Sequence, residues 1–363
     1  MSTSSHVGCP YSTLPDHAYW RKAVAEVAPE IIAPIVAAPF KIARTDQVAT
    51  AGSCFAQHLA KRLQAGGFSY FVAESGYPRM AEDLAVKYNY GVFSARFGNI
   101  YTARQLRQLF ARALGEFVPA EPLWQDGAYW RDPFRPMIQP HGFESRQEAE
   151  LDRAQHLDAV RGMMESLDVF IFTLGLTESW VCRADGAVLP MCPGCGAGTF
   201  DPEKYEFRNF EVEEVIDDLR AALEQLRRAN PSCRVIFTVS PVPLVATYSG
   251  NHVLSATTYS KSVLRVAADR MAREFGNCSY FPSYEIITGA FNGGTYFADD
   301  LRNVTEAGVD HVMNMFFRHF AAEPPNQAAA PSVPTQRLTR RGRNVLEVVC
   351  DEYASLNAAE QQA

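Results

Sequence analysis

Two long apolar runs constrain the fold of this chain more than any other feature of its sequence. They are DVFIFTLGL, residues 168–176, and CRVIFTVSPVPL, residues 233–244. A strand that is apolar on both faces is typical of a parallel sheet covered by helices on both sides. Helical patterns surround these runs, and the clearest covers residues 212–229. The alternation predicts an α/β fold, a three-layer α/β/α sandwich with a mainly parallel, doubly wound sheet.

The stretch VATAGSCFAQHLAKRL, residues 48–63, predicts a cysteine at a sharp turn from a strand into a helix. A β-type run at residues 47–50 leads into the small-residue turn Ala51-Gly52-Ser53, and Cys54 stands just before the helical pattern. Turns of this kind hold the nucleophile of α/β hydrolases at the end of the sheet. A helix N-terminus also favours a thiolate. For a lone cysteine in such a turn, a small buried packing residue is the plainer interpretation.

Composition narrows the classes of function. The net charge of −7 and the isoelectric point near 5.7 give no basic surface for nucleic acid. No apolar run approaches the ~20 residues of a membrane span, and the N-terminus lacks the basic and apolar segments of a signal peptide. Eight cysteines at irregular spacing do not resemble a disulfide scaffold. We therefore expect reduced thiols, a cytoplasmic location and no cofactor.

Composition also divides the chain. Residues 1–34 are expected to form an arm that packs on the main domain, because a polar disordered segment would not carry Trp20. Residues 35–322 form the main domain, with an irregular, aromatic-rich insertion around residues 116–150. Residues 323–363 form a Pro/Ala-rich linker and a C-terminal tail.

One pair of cysteines, Cys192-Pro-Gly-Cys195, has the spacing of a metal knuckle. No second pair follows at a usable distance, which disfavours a zinc site. A reduced pair of thiols in a loop is the plainer interpretation.

The residues Gly52-Ser53-Cys54-Phe55-Ala56 spell the signature of the GSCFA family. Five further stretches carry the same resemblance: FTLGLTESW (172–180), TVSPVPL (238–244), YSKSVLR (259–265), YFPSYEI (280–286) and FADDLRNVTEAGVDHV (297–312). The chain therefore resembles the GSCFA family, which is distantly similar to the SGNH/GDSL hydrolases and acyltransferases. The resemblance implies an SGNH-like or flavodoxin-like fold and an enzyme, a hydrolase or acyltransferase, that acts on ester bonds.

The resemblance also implies catalytic positions. Cys54 aligns with the nucleophilic serine of the SGNH Gly-Asp-Ser block, and Ser53 as nucleophile is the minority interpretation. The fourth SGNH block is Asp-x-x-His, with histidine as general base. Asp300 fits this block, but Asn303 stands where the histidine would be, and an amide does not take up a proton near neutral pH. His58, four residues after Cys54, is one substitute base, and Glu178 is another, or the group that orients His58.

Oxyanion groups follow from the same comparison. Gly98, with Asn99 beside it, matches the glycine of the second SGNH block, although a glycine that merely permits a turn explains Gly98 equally well. In the third block, Thr177 stands in place of the asparagine and Glu178 in place of the aspartate. The resulting substrate and oxyanion set is Gly52, Gly98, Asn99, Gly175, Thr177 and Ser240.

Three functions remain open. The first is an ester or thioester hydrolase or O-acyltransferase with a covalent acyl intermediate on Cys54, acting on a small-molecule or glycan donor and acceptor. The second is a catalytically degenerate binding or scaffold protein, which the Asn303 substitution favours. The third is a metal-dependent enzyme that uses Cys54, His58 and Glu178.

Overall fold

The computed structural model describes residues 9–325, so the first eight residues and most of the predicted C-terminal tail lie outside the described part. The strands are β1 Val48–Gly52, β2 Trp124–Asp126, β3 Tyr129–Arg131, β4 Val169–Leu174, β5 Glu178–Cys182, β6 Val188–Leu189, β7 Tyr205–Asn209, β8 Arg234–Val239 and β9 Cys278–Tyr280. The α-helices are α1 Ala56–Ala65, α2 Glu82–Lys87, α3 Ala103–Ala113, α4 Arg146–Ser166, α5 Val212–Ala229, α6 Val253–Glu274, α7 Ser283–Thr288 and α8 Glu306–Phe320.

The central sheet has the strand order β1-β4-β8-β9, and all its neighbouring strands run parallel. Its registers place Gly52 beside Thr173 and Thr173 beside Thr238. The carboxyl ends of three strands therefore meet at one edge. The two apolar runs form β4 and β8, as predicted, and the α/β class and layered architecture are confirmed.

Alternate side chains of the central sheet pack into two separate hydrophobic cores, one on each face. Residues such as Phe170, Phe172 and Phe237 pack against α3, α4, α5 and α6 on one face. Residues such as Ile171 and Ile236 pack against α1 and α8 on the other. A strand that supplies both cores has no polar face, which explains why these runs are continuously apolar.

A second sheet begins with β5, four residues after the end of β4. Its order is β6-β5-β7, and both pairings are antiparallel. Asp185-Gly186, a dipeptide whose sequence predicts a hairpin turn, joins β5 to β6, and Gly186 takes φ +73°, in the left-handed region. This small sheet stands beside the edge where the parallel strands end.

The apolar residues of FSYFV, residues 68–72, and of SYFPSYEII, residues 279–287, also predict strands, and the structure differs from both predictions. Residues 68–72 form only a single bridge, between Val48 and Tyr70, because Phe68 N–H still bonds to the end of α1 at Leu63. That bridge lies beside β1, whose other neighbour is β4. Near the C-terminus, β9 stops at Tyr280, and α7 begins at Ser283. Pro282 has no N–H with which to extend a ladder.

The N-terminal segment contacts the domain at its end and not at Trp20, which is 72% exposed. Ile32 is buried, and its carbonyl lies 2.9 Å from Nε2 of His311 on α8. In residues 9–325, no helix is long and apolar enough to cross a membrane.

Candidate active site

The turn after β1 is built around Gly52. Its φ is +133°, and a Cβ there would lie 2.2 Å from the carbonyl oxygen of Thr173 on β4. Only glycine fits this close approach of two strands. Ser53 N–H then donates to the Thr173 carbonyl at 3.1 Å, which fixes the direction in which the chain leaves the sheet. Cys54 follows immediately, two residues before α1 begins.

Cys54 faces a small cavity of about 10 Å³, which we call the Cys54 cavity. That volume is close to what one water molecule needs. The cavity lies at the carboxyl ends of β1, β4 and β8, where α/β folds bind ligands. Its lining comprises Ser53, Cys54, Tyr101, Gly175, Leu176, Ser240, Val242, Pro243, Leu244 and Lys261. Cys54 and Ser53 are both 4% exposed.

Hydrogen bonds between loops hold this cavity together. The Tyr101 carbonyl accepts from the N–H groups of Gly175 and Leu176, at 3.0 and 3.1 Å. Ser240 N–H donates to the Leu174 carbonyl at 2.8 Å. A Cβ at Gly175 would lie 3.0 Å from the Tyr101 carbonyl oxygen and 3.1 Å from the Ser53 Cβ, so a larger residue would push these neighbours apart. The position of Cys54 is thus fixed by backbone contacts from two other strand ends.

Lys261 is the site residue that sequence reasoning missed. It lies on α6 and is only 2% exposed, and its Nζ donates to the Gly175 carbonyl at 2.6 Å. It therefore brings an amino group into the same cavity as the Cys54 thiol. A signal was available, because Lys261 precedes Leu264 and Ala268 by helical spacing on the buried side of α6. A lysine on that stripe is far from its usual exposed setting.

A much larger cavity adjoins the first. It has a volume of about 680 Å³ and shares Tyr101, Leu176 and Leu244 with the Cys54 cavity. We call it the aromatic chamber, because a packed cluster of four rings lines it in addition to Tyr101: Trp180, Phe200, Phe207 and Tyr248. Trp180 lies at the centre of these rings, 5.1 Å from Phe200 and 5.0 Å from Tyr248 between centroids. A chamber of this size and composition matches the pockets that hold small organic ligands.

The predicted oxyanion groups are divided between several places. Gly175 and Ser240 line the Cys54 cavity, whereas Gly98, Asn99 and Thr177 are not among its lining residues. The Thr177 hydroxyl donates to Asn209 on β7 at 2.6 Å. Gly98 and Asn99 line a different small cavity, which shares no lining residue with the Cys54 cavity, and Asn99 accepts from Gln57 of α1 at 3.2 Å.

Asp300 and Asn303 pair with each other. Asp300 Oδ1 accepts from the Arg302 and Asn303 N–H groups, both at 3.0 Å. The Asn303 amide donates to Asp300 Oδ2 at 2.6 Å. The turn abuts the site, because Arg302 Nε donates at 3.1 Å to the carbonyl of Pro243, a lining residue of the Cys54 cavity.

His58 and Glu178 lie apart from the thiol's cavity. His58 packs edge-on against Phe55 at 5.5 Å and does not line the cavity. Burial, and then the charges of Lys61 and Arg62, lower the pKa of His58 from 6.5 to about 4. Glu178 lines the aromatic chamber, where it accepts from Thr247 at 2.6 Å. Across the described residues, no group of three or more His, Cys, Asp or Glu side chains is placed to hold a metal ion.

Comparison with known proteins identifies one family. The model described as the GSCFA family matches residues 47–316. That range runs from the residue before β1 into α8 and includes every residue that lines the Cys54 cavity and the aromatic chamber. No curated protein matches the chain.

Proposed function

Since the chain belongs to the GSCFA family, we propose that it is an acyl-group enzyme, an ester or thioester hydrolase or an O-acyltransferase, with Cys54 as its nucleophile. One observation carries the proposal. Cys54 and Lys261 line a single small cavity at the carboxyl edge of the parallel sheet, and this cavity adjoins a chamber large enough for a substrate.

In this proposal, the positive charge of Lys261 activates Cys54 in place of the histidine base, whose position is taken by Asn303. An ammonium group close to a cysteine favours the thiolate, which is the nucleophilic form. The helix that begins after Cys54 adds partial positive charge from its N-terminal N–H groups. The same ammonium, together with backbone N–H groups of the cavity, would stabilise the negative oxygen that develops when the thiolate attacks a carbonyl.

Acylation forms one bond to the substrate's carbonyl carbon and breaks another. The Cys54 sulfur forms a bond to the acyl carbonyl carbon, and the bond from that carbon to the leaving group breaks, with its electron pair leaving on that group. A thiolate departs without a proton at neutral pH, whereas an alkoxide needs a general acid. Because Asn303 stands where the SGNH histidine would be, thioesters and activated esters are the favoured donors. The oxygen of water or of a hydroxyl acceptor then bonds to the acyl carbon, the carbon–sulfur bond breaks to release the Cys54 thiolate, and the acceptor's proton passes to solvent.

The aromatic chamber is the proposed site of the acyl chain. Its lining is mainly apolar: Leu176, Leu189, Leu244 and Val245 accompany the four aromatic rings. An apolar surface binds an alkyl chain more favourably than a sugar, because the hydroxyls of a sugar need hydrogen-bond partners. Burial of each additional methylene contributes about 0.8 kcal/mol, or about fourfold in relative acylation rate.

Intact-mass spectrometry tests the nucleophile. Incubation with acyl thioesters should add one acyl group per chain, and Cys54→Ala should abolish this adduct. Cys233→Ala is the matched control, since Cys233 is also buried but lies at the opposite end of β8. Failure of every thioester and activated ester to acylate the protein would reject the enzyme and support the binding-protein alternative.

A second experiment tests Lys261. Lys261→Met removes the charge and keeps the length, so the apparent pKa of Cys54, measured from the pH dependence of iodoacetamide alkylation, should rise toward or above the ~8.5 of a free thiol. Lys261→Arg should preserve a lower value. An unchanged pH profile in Lys261→Met, with the fold intact by circular dichroism, would contradict the electrostatic role.

A donor series tests the chamber. Acylation rates should increase about fourfold per methylene until the chamber is filled. Trp180→Ala should weaken this dependence, whereas Trp130→Ala, in the β2–β3 hairpin and outside the chamber lining, should not. Equal rates for all chain lengths would place the acyl chain elsewhere.

A further inference from the structure

The wall of the aromatic chamber contains two cysteines in one tight turn. Cys192 and Cys195 both line the chamber, and both are partly exposed free thiols. Cys195 N–H donates to the Cys192 carbonyl at 3.0 Å, and Gly194 between them has φ +89°. Pro193 followed by a glycine of positive φ is the pattern of a type II β-turn.

This turn brings the two thiols within bonding reach. The ends of a β-turn have Cα atoms less than about 7 Å apart, and disulfides need Cα separations of about 4.4–6.8 Å. The Cys192 thiol donates to the carbonyl of Pro193, inside the same turn, at 3.4 Å. A bond between the two sulfurs therefore requires little movement of the backbone.

The surroundings favour exchange over metal binding. Two thiolates do not complete the four-ligand set of a structural zinc ion, and within residues 9–325 no third His, Cys, Asp or Glu joins them in a metal-binding group. Cys233 and Cys278, at the amino ends of β8 and β9, provide a contrast, because both of these thiols are buried. Reactive thiols need solvent access and thiolate character. The turn at 192–195 leaves both of its thiols partly exposed to solvent.

We infer that Cys192 and Cys195 form a thiol–disulfide exchange site that opens into the aromatic chamber and reacts with low-molecular-weight disulfides. We assign the first attack to Cys195, because the Cys192 thiol donates to the Pro193 carbonyl and burial raises the pKa of Cys192. The Cys195 thiolate forms a mixed disulfide and releases one small thiol. Cys192 then loses its proton to solvent, attacks the Cys195 sulfur and releases the second thiol. Overall, the protein loses two electrons and two protons, and one small disulfide becomes two thiols.

The expected consequence is a chamber wall that responds to redox conditions. The disulfide would tie the turn at 192–195 into a closed ring and remove both thiols from the chamber lining. Exchange at this turn does not depend on the acyl chemistry proposed for Cys54, so either proposal can fail while the other stands.

The test uses the full chain and oxidised glutathione. After incubation, free thiols are alkylated, the protein is unfolded and the remaining thiols are identified by peptide mass spectrometry. The peptide with Cys192 and Cys195 should lose two hydrogens and resist alkylation, whereas Cys233 and Cys278 should remain reduced. Dithiothreitol should reverse the change.

Two variants test the order of attack. Cys192→Ser should trap Cys195 as a mixed disulfide with glutathione, because the resolving thiol is gone. Cys195→Ser should react more slowly. A turn that stays reduced while exposed Cys9 forms a mixed disulfide would overturn the inference, as would an oxidised Cys195 paired with any cysteine other than Cys192.

Discussion

The buried imidazole of His58 allows a quantitative test of what α1 contributes to the site. Burial lowers its pKa from 6.5 to about 4, and its Nδ1 has no hydrogen-bond partner among the described residues. An imidazole with so low a pKa is a poor acceptor for the proton of a thiol. We predict that His58→Leu leaves the alkylation rate of Cys54 unchanged and alters the pH dependence of stability instead.

The pKa difference determines the magnitude. The unfolded chain binds a proton at His58 at higher pH than the folded chain does, so the free energy of unfolding falls as the pH drops through 6.5 toward about 4. At about 1.4 kcal/mol per pKa unit, the values 6.5 and about 4 correspond to about 3 kcal/mol in full. About 2 kcal/mol of this is lost between about pH 7 and about pH 5.

Urea unfolding at these two pH values measures the effect. The wild-type protein should lose about 2 kcal/mol more than His58→Leu on acidification, and the variant should be no less stable at neutral pH, because it removes an unsatisfied buried nitrogen. His156, whose pKa is also lowered to about 4, affects both proteins equally and cancels. Exposed His141→Gln is the control. Identical pH dependence in wild type and His58→Leu, together with slower Cys54 alkylation in the variant, would refute the reasoning and restore His58 as the base.

Three further predictions concern the Gly52 turn, the buried ion pairs of Arg135 and the turn that contains Asp300 and Asn303. Gly52→Ala should reduce stability by about 3 kcal/mol or more in thermal unfolding, since its Cβ would lie 2.2 Å from a backbone oxygen; Gly186→Ala, in open space at φ +73°, should lose only about 1–2 kcal/mol. Arg135→Met leaves Asp132 and Asp152 without the guanidinium that bonds both of them, at 2.8 and 2.7 Å, and should reduce the free energy of unfolding by about 3–5 kcal/mol. Asn303→His should increase hydrolysis of a simple aryl ester, because the new imidazole can pair with Asp300 and take up protons; an unchanged rate would separate this turn from the chemistry.

The sequence supports correct prediction of the elements that local patterns control. The 3.6-residue periodicity defines α5 at residues 212–229 as observed. Thr102 followed by Gln105 three residues later is the sequence pattern of a capping box, and it marks the start of α3 as observed. The failure at residues 68–72 has a local cause, since Phe68 N–H bonds to the Leu63 carbonyl of α1 and Ser69 N–H bonds to the Arg44 carbonyl. Patterns of apolar residues do not show where the backbone N–H groups of a segment form their hydrogen bonds.

The candidate site was only partly predictable, because its parts come from distant segments. The glycine turn and Cys54 are adjacent in sequence, but Tyr101 and Lys261 reach the cavity through loop and helix packing. Helical periodicity shows that Lys261 is buried, yet it does not show against which strand end. The aromatic chamber depends on the second sheet and on the segment around Tyr248, and their relative placement follows from tertiary contacts alone.

A fixed ammonium and a titrating imidazole leave different signatures in the pH profile of Cys54, and this difference separates the two accounts of the missing base. An imidazole base adds a second titration to the thiol's own, so the profile has two steps. With Lys261 as a permanent charge, the rate of alkylation should follow one thiol ionisation, displaced below ~8.5, and then stay level. The pKa of His58, lowered to about 4, lies below the range in which the thiolate forms. A second step between about pH 6 and about pH 7, present in the wild type and absent in His58→Leu, would show that the histidine acts directly on the thiol. A single step that moves upward only in Lys261→Met would assign activation of the nucleophile to the buried lysine.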